Sequence, residues 1–484
     1  MKNTKKLIRF AAVFLIFALT FISFVSCKSD SLKEADITES TTESVRSELA
    51  PEDRSALDDL EAFDFGGYEF KIANRVWAGF ADYRLDFEEL TGDPYNDAVF
   101  NRNRAIEDRF NVTITTIHDF GDPRRILLSG INDYDLFTHR ADHAFTFAAE
   151  GLLNSIDKLK YIDLSKTYWN EFITNQMTIM NKKFFAIGSF NFSFYDLVIV
   201  LLFNKQLVQD YGLENPFDLV KSGAWTYDKF TELSKTATFD LNGDGEMDKN
   251  DAWGYTCRPN EVLPGLWVGG GVTAAVKDAN DIPQNAMGTE KFLNVIDKIY
   301  NMIYGENIYF KTDLPDMFIN GNVLFNESSP HKLLALRAME TDFGIIPYPK
   351  LDEKQENYYS LVTGGEVFFT ALSASEDDLD RASIILEAMA CESLKTCIPA
   401  YYDNILKTKL VRDQESEEII DMLFSHRVFD WLYSVWTAEI IDGPLLTMFE
   451  SKNNTLVSLN ESRLSAIFDK KRNAIVEAFE MLGD

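Results

Sequence analysis

Basic residues are the scarce class in this chain of 484 residues: 47 Lys and Arg stand against 77 Asp and Glu, a formal net charge of −30. With no surplus of cations to displace counterions from phosphate, the chain is not built for nucleic acid. Cysteine is scarcer still, at positions 27, 257, 391 and 397 only. Cys391 and Cys397 sit six apart in a helical pattern and point too differently for an easy bridge, so no disulfide framework is expected. No His partner lies near any thiol in sequence, which disfavours a reactive cysteine. Of the five His, only His139 and His143 stand at a spacing suited to one metal, and a polar loop explains them as well. After the first segment no apolar run reaches the roughly 18 residues of a membrane helix. His-Glu-x-x-His, Gly-x-Ser-x-Gly and Gly-x-x-x-x-Gly-Lys are all missing.

What is present is a globular composition, 46% apolar and 26% charged, long enough for two large lobes that share a cleft. Residues 1–26 carry Lys2, Lys5, Lys6 and Arg9, no acid, and an apolar stretch from Phe10 to Val25. A basic start followed by an apolar middle describes an export signal; a permanent anchor is the alternative. Phe24-Val25-Ser26-Cys27 resembles a bacterial lipoprotein box, with Phe in place of the usual Leu. That resemblance implies that Cys27 is diacylated and becomes the mature N-terminus, on the extracellular face of the cell membrane. Two acyl chains anchor stably, because each buried methylene contributes roughly 0.8 kcal/mol. Residues 27–62 contain no aromatic side chain and are dominated by Ser, Thr, Glu and Asp, so they read as a disordered tether.

Beyond Phe63, strand-like and helical patterns alternate: Tyr68–Ala73, Tyr95–Phe110, Asn111–Ile117, Tyr134–Thr138, Leu197–Phe203, Phe343–Pro347 and Val367–Ala371. From Glu376 onward the pattern is almost wholly helical. Alternation of this kind builds mostly parallel sheets in an α/β protein.

The sharpest local signal runs from Asp240 to Asp251. Asp240, Asn242, Asp244, Asp248 and Asp251 fall at positions 1, 3, 5, 9 and 12 of a twelve-residue loop. Gly245 takes the tight-turn position and Glu246 offers a backbone carbonyl. This spacing wraps hard oxygens around one structural Ca²⁺. Asp at position 12 resembles dockerin loops, but a strand-like Ala252–Tyr255 follows instead of an exiting helix. The competing reading is a polar turn that binds nothing.

Several phrases then coincide: Asn96-Asp-Ala-Val-Phe-Asn-Arg-Asn-Arg104, Tyr134-Asp-Leu-Phe137, Phe203-Asn-Lys-Gln-Leu207, Ala224-Trp-Thr-Tyr-Asp-Lys-Phe230, the Asn-Gly-Asp-Gly loop and Tyr401-Tyr402. In this order they resemble the extracellular solute-binding proteins of carbohydrate ABC importers, the group that includes maltose-binding protein. The resemblance covers nearly all of residues 63–484. It implies a type II periplasmic-binding fold: two α/β lobes joined by crossing strands, with a helical C-terminal part. Residues 63–188 plus 363–410 would form one lobe, and 189–362 plus 411–484 the other. It also implies a monomer that hands an oligosaccharide to ABC permease subunits and is not an enzyme.

Sugar rings ask for flat aromatics and planar hydrogen-bonding groups. On family geometry the expected ligand contacts are Asn74, Arg75 and Trp77 after the first strand, and Thr138, Arg140 and Asp142 after the third. Asn191 and Tyr195 follow at the first crossing, Asn326 and Glu327 on a loop, Glu366 at the return crossing and Trp436 in a late helix. Arg140 and Asp142 also read as a plain surface pair, and Trp77 as an ordinary half-buried ring. Glu366 opens an apolar strand, where burying a carboxylate needs a reason. The expected guest is uncharged. The alternatives are a secreted glycoside hydrolase and a surface glycan-binding protein uncoupled from import; carboxylates are too abundant here for any pair to be diagnostic.

Overall fold

The computed structural model describes residues 57, 60–74, 85–312, 314–402 and 414–481. The signal segment, Cys27, nearly all of the tether, Arg75 and Trp77 lie outside the described residues. Among those described, no helix is long and apolar enough to cross a membrane.

In chain order the strands are β1 (Tyr68–Asn74), β2 (Val112–Ile117), β3 (Leu136–Arg140), β4 (Val200–Asn204), β5 (Trp253–Cys257), β6 (Ala275–Lys277), β7 (Pro283–Asn285), β8 (Tyr309–Lys311), β9 (Val323–Ser328), β10 (Phe343–Ile346), β11 (Ser360–Leu361), β12 (Glu366–Phe369) and β13 (Arg427–Val428). Two sheets carry the architecture, in the orders β12-β3-β1-β2 and β10-β4-β9-β5-β8. In the first, β1 lies between two parallel partners and β12 closes one edge antiparallel to β3. The second mixes parallel and antiparallel neighbours. The chain is therefore a mixed α/β protein with a largely helical C-terminal part.

Local chemistry explains the elements of the first lobe. The helix Pro94–Phe110 starts where the Asp93 side chain accepts the amides of Tyr95 and Asn96, with Pro94 at its first position. It ends at Asn111, whose φ of 50° is left-handed. Ile106 and Phe110 then join Phe70, Ile72 and Leu136 beneath the helix Glu376–Glu392. Phe137 and Phe369, on the opposite face of the sheet, stack with centroids 5.7 Å apart near the helix Ala141–Ala149. In the second lobe every residue of β4, β5, β9 and β10 is buried, as expected of a sheet covered on both faces.

The connection between the lobes is a short ribbon. Ile199 N donates to Leu361 O at 2.9 Å, and Thr363 N donates to Leu197 O at 2.9 Å. A third segment joins them: β13 runs parallel to β11. Gly365 has a φ of 136°, and a Cβ there would meet the Phe194 ring at 2.5 Å, so only glycine lets the return strand pass.

The late helices do not belong to the second lobe alone, contrary to the expectation for residues 411–484. Helix Gln414–Ser425 packs on β10 of the second lobe. Trp431, however, lies 4.7 Å from Phe145 of the first lobe and donates its Nε1–H to Gln176 O at 2.8 Å. Helix Ser465–Met481 touches both the helix Ala141–Ala149 and β7.

Candidate functional site

A cavity of about 240 Å³ opens where the crossing ribbon meets both lobes. Arg140, the last residue of β3, reaches it from the first lobe, while Leu197, Thr363 and Gly364 form its floor at the ribbon. The second lobe supplies Arg258 and Glu261, Glu327 from β9, and Lys332; Tyr433 comes from the late helices.

Arg258 and Glu261 are placed by the helix Pro259–Gly269, which begins directly after β5 and carries Glu261 in its first turn. A carboxylate there is favoured by the helix dipole. Arg258 pairs with Glu261. Lys332 Nζ lies 3.0 Å from Glu327 Oε1 and 3.9 Å from Glu261 Oε2. Glu327 Oε2 accepts the Cys257 thiol at 3.2 Å, and burial with the Glu327 charge nearby pushes that thiol well above its ordinary range. The Tyr433 hydroxyl donates to Glu261 Oε1 at 3.4 Å. These contacts make one ionic network along the second-lobe wall. His331, also lining the cavity, has Nδ1 3.0 Å from Ser329 Oγ and 3.3 Å from Asp196 O. Burial lowers its pKa to about 4, so the ring is neutral at neutral pH.

Two carboxylates on one wall invite comparison with a glycosidase. In such an enzyme the glycosidic oxygen sits between the carboxyl groups. Here the Lys332 ammonium stands in that gap, bonded to one carboxylate and facing the other.

Arg140 and Glu327, among the expected contacts, line the cavity, and Asp142 stands beside Arg140 at 2.9 Å. The other expected contacts among the described residues are placed elsewhere. Thr138 Oγ1 donates to Asn74 Oδ1 at 2.8 Å, so these two bind each other within the first sheet. Asn191 clips the crossing: it accepts Gly188 N at 2.7 Å and donates to Glu366 O at 3.0 Å. Tyr195 is buried under the Arg427 guanidinium, 4.2 Å above its ring. Asn326 accepts Thr256 Oγ1 at 2.8 Å and donates to Glu327 O at 2.6 Å. Trp436 is packed between Trp431 and Phe468, with centroids 5.7 and 5.0 Å away.

Glu366 faces Arg140 across the β12–β3 ladder, yet its buried Oε1 has no hydrogen-bond partner. Burial pushes its pKa up to about 8. Arg258, Glu261, Lys332 and Tyr433 were not anticipated. A cation and a carboxylate three apart at a strand-to-helix junction, as in Arg258-Pro-Asn-Glu261, was the available signal for two of them.

The loop 240–251 is a tight polar turn. Asp240 accepts the amides of Gly243 and Gly245, Asn242 that of Asp244, and Asp251 those of Leu241 and Asp248. Gly245 has a φ of 84°. Among the described residues no group of three or more His, Cys, Asp or Glu converges as a metal site. The side-chain oxygens of the loop are turned to its own amides.

No family model matches the sequence, and no curated protein matches it either. Solved structures do. A sugar transporter from Rhizobium etli in an open conformation superposes with a TM-score of 0.55 at 14% identity, covering 86% of this chain and 99% of that one. UgpB from Mycobacterium tuberculosis, in complex with glycerophosphocholine, gives 0.54 at 16% identity, over 80% of this chain and 99% of that chain. A cyclo/maltodextrin-binding protein complexed with maltotetraose gives 0.54 at 13%, over 86% and 96%. At these identities the likeness establishes the fold: this chain has the periplasmic-binding fold seen in ABC solute-binding proteins.

Proposed function

We propose that this protein is a receptor, not an enzyme, which captures an oligosaccharide between its lobes and delivers it to ABC permease subunits. The observation that carries the reading is the polar-walled cavity at the crossing ribbon, with Arg140 on one lobe and the Arg258–Glu261–Lys332–Glu327 network on the other. A hinge at the ribbon lets ligand bridge the two walls, and closure then presents the permease with a surface the open form lacks. Lys332 in the gap between the carboxylates argues for binding over hydrolysis. Diacylation at Cys27 would hold the receptor at the outer face of the membrane, and the length of residues 28–62 would let it reach its permease.

The loop 240–251 is proposed to hold one structural Ca²⁺, on the strength of its donor spacing; Asp240, Asn242, Asp244, Asp248 and Asp251 would supply side-chain oxygens and Glu246 its carbonyl. A thermal-shift screen over plant and host glycans, with chromatography of each mixture, tests the main reading. A receptor raises its melting temperature with a defined glycan and leaves it intact. Shortened products, or no shift with any glycan, would overturn the proposal.

A further inference from the structure

The second-lobe wall shows cations to the cavity and hides their counter-charges. Arg258 and Lys332 keep 36% and 34% of their side-chain surface open, whereas Glu261 and Glu327 keep 3% and 2%. Across the cleft Arg140 is 46% open, more than its partner Asp142 at 25%. The buried carboxylates are used from behind: Glu327 takes the Lys332 ammonium and the Cys257 thiol, and Glu261 takes the Arg258 guanidinium and the Tyr433 hydroxyl. The Nε–H of Arg258 has no acceptor. The open carboxylate of the lining, Asp442, accepts Asn260 Nδ2 at 3.0 Å through Oδ1 and keeps Oδ2 for solvent or guest, while the buried Glu261 Oε2 has no hydrogen-bond partner.

The wall therefore presents its cations more openly than the carboxylates that pair with them, and its remaining acceptors are Asp442 and neutral hydroxyls such as Thr363 and Thr437. A sugar hydroxyl brings one donor with its lone pairs, and the carboxylates beside the open cations are too sunken to take that donor. An ionised carboxylate or sulfate brings acceptors only, and guanidinium forks match its geometry. Because the buried carboxylates bring the local charge near zero, this selection works through hydrogen-bond direction more than through field strength. The overall charge of −30 does not bar an anion from the cleft, since exposed charges farther than about 8 Å are largely screened at physiological salt.

We infer that the guest is an acidic saccharide, its carboxylate or sulfate ester seated between Arg258 and Lys332 and covered by Arg140 when the lobes close. This rests on the receptor reading above and replaces the uncharged guest expected from sequence.

The test is calorimetric titration of the full chain in detergent with three ligands. These are an oligogalacturonide, the same oligosaccharide with its carboxyl groups reduced to alcohols, and a sulfated disaccharide. The acidic oligogalacturonide or the sulfated sugar should bind at least about tenfold more tightly than the reduced form, and which of the two does so identifies the anion. Lys332→Gln and Arg140→Gln should each narrow that preference, the first to about twofold or less. Arg140→Gln leaves the buried network untouched, so it serves if Lys332→Gln fails to fold. Equal or tighter binding of the reduced sugar, with both variants leaving the preference unchanged, overturns the inference while the receptor survives. Failure of every saccharide, neutral ones included, overturns the receptor reading as well.

Discussion

The two lobes treat their polar residues differently at the same cleft. In the first lobe Thr138 and Asn74 bind each other, and Asn191 clips the crossing; Arg140 is the charged group that the lobe sends to the cavity. In the second, a connected set of charges lies on the cavity wall with its carboxylates sunk and its cations open. The difference teaches that the second lobe concentrates its charge on the cavity wall while the first contributes little, so on the receptor reading the second would be the prepared surface and the first its cover.

The largest expected loss of stability bears directly on that asymmetry. Lys332→Ala leaves the buried Glu327 carboxylate without its ammonium and should cost about 2 kcal/mol, below the roughly 3–5 kcal/mol of a fully buried pair because Lys332 is itself part-exposed. Arg140→Ala breaks a pair that is largely open and should cost less than about 1 kcal/mol. Urea unfolding of the two variants compares them, and equal losses would break the contrast.

The hinge between the lobes gives the next effect. Glu366 binds its proton more tightly in the folded chain, with a pKa of about 8 against an ordinary 4.5. Between those values the folded state holds more protons than the unfolded one, so stability falls as pH rises. The loss approaches about 1.4 kcal/mol per pH unit. Below pH 4.5 and above pH 8 this contribution is flat. Glu366→Gln should remove the decline and leave the variant at least about 2 kcal/mol more stable than the parent at pH 8. Parallel pH profiles of the two proteins would show that Arg140, its register neighbour, or another charge offsets the burial.

A smaller effect is confined to the second lobe. Chelation with EGTA should lower the melting temperature and added Ca²⁺ should restore it, and Asp251→Ala should abolish the response. A chain indifferent to both would make the loop a plain turn. Smallest for binding is Thr138→Val, which removes the hydrogen bond to Asn74 and should cost about 1 kcal/mol of stability. Glycan affinity should stay within about twofold; a larger loss would place the first lobe among the binding surfaces and sharpen the division differently.

Much of the fold was legible. The helical pattern over Tyr95–Phe110 appeared as the helix Pro94–Phe110, one residue longer at its start because Asp93 caps it and Pro94 suits its first position. The strand after the acidic loop appeared as β5. The strand expected from Tyr134 begins instead at Leu136, because Asp135 turns its carboxylate to Tyr68 Oη and Lys71 N. The site was legible only in fragments. Arg140 was visible because it follows a strand pattern, and Glu327 through the family resemblance, although Asn326 and Glu327 lie within β9 and not on the expected loop. Lys332 sits beyond a turn whose direction no periodicity records. Trp436 was expected at the cleft for its chemistry, but an indole on a helix with apolar neighbours on two sides is drawn into the core.

Sequence alone determined what is local: the charge balance, the apolar periodicities, the caps, and the spacing of the acidic loop. These depend on residues within a few turns of one another. Only the tertiary structure decided which polar groups meet. Arg140, Arg258, Glu327 with Lys332, and Tyr433 converge from four separate stretches of chain. Whether each opens onto the cleft or sinks behind a partner is fixed by where the strand ends and helix starts carry it in space.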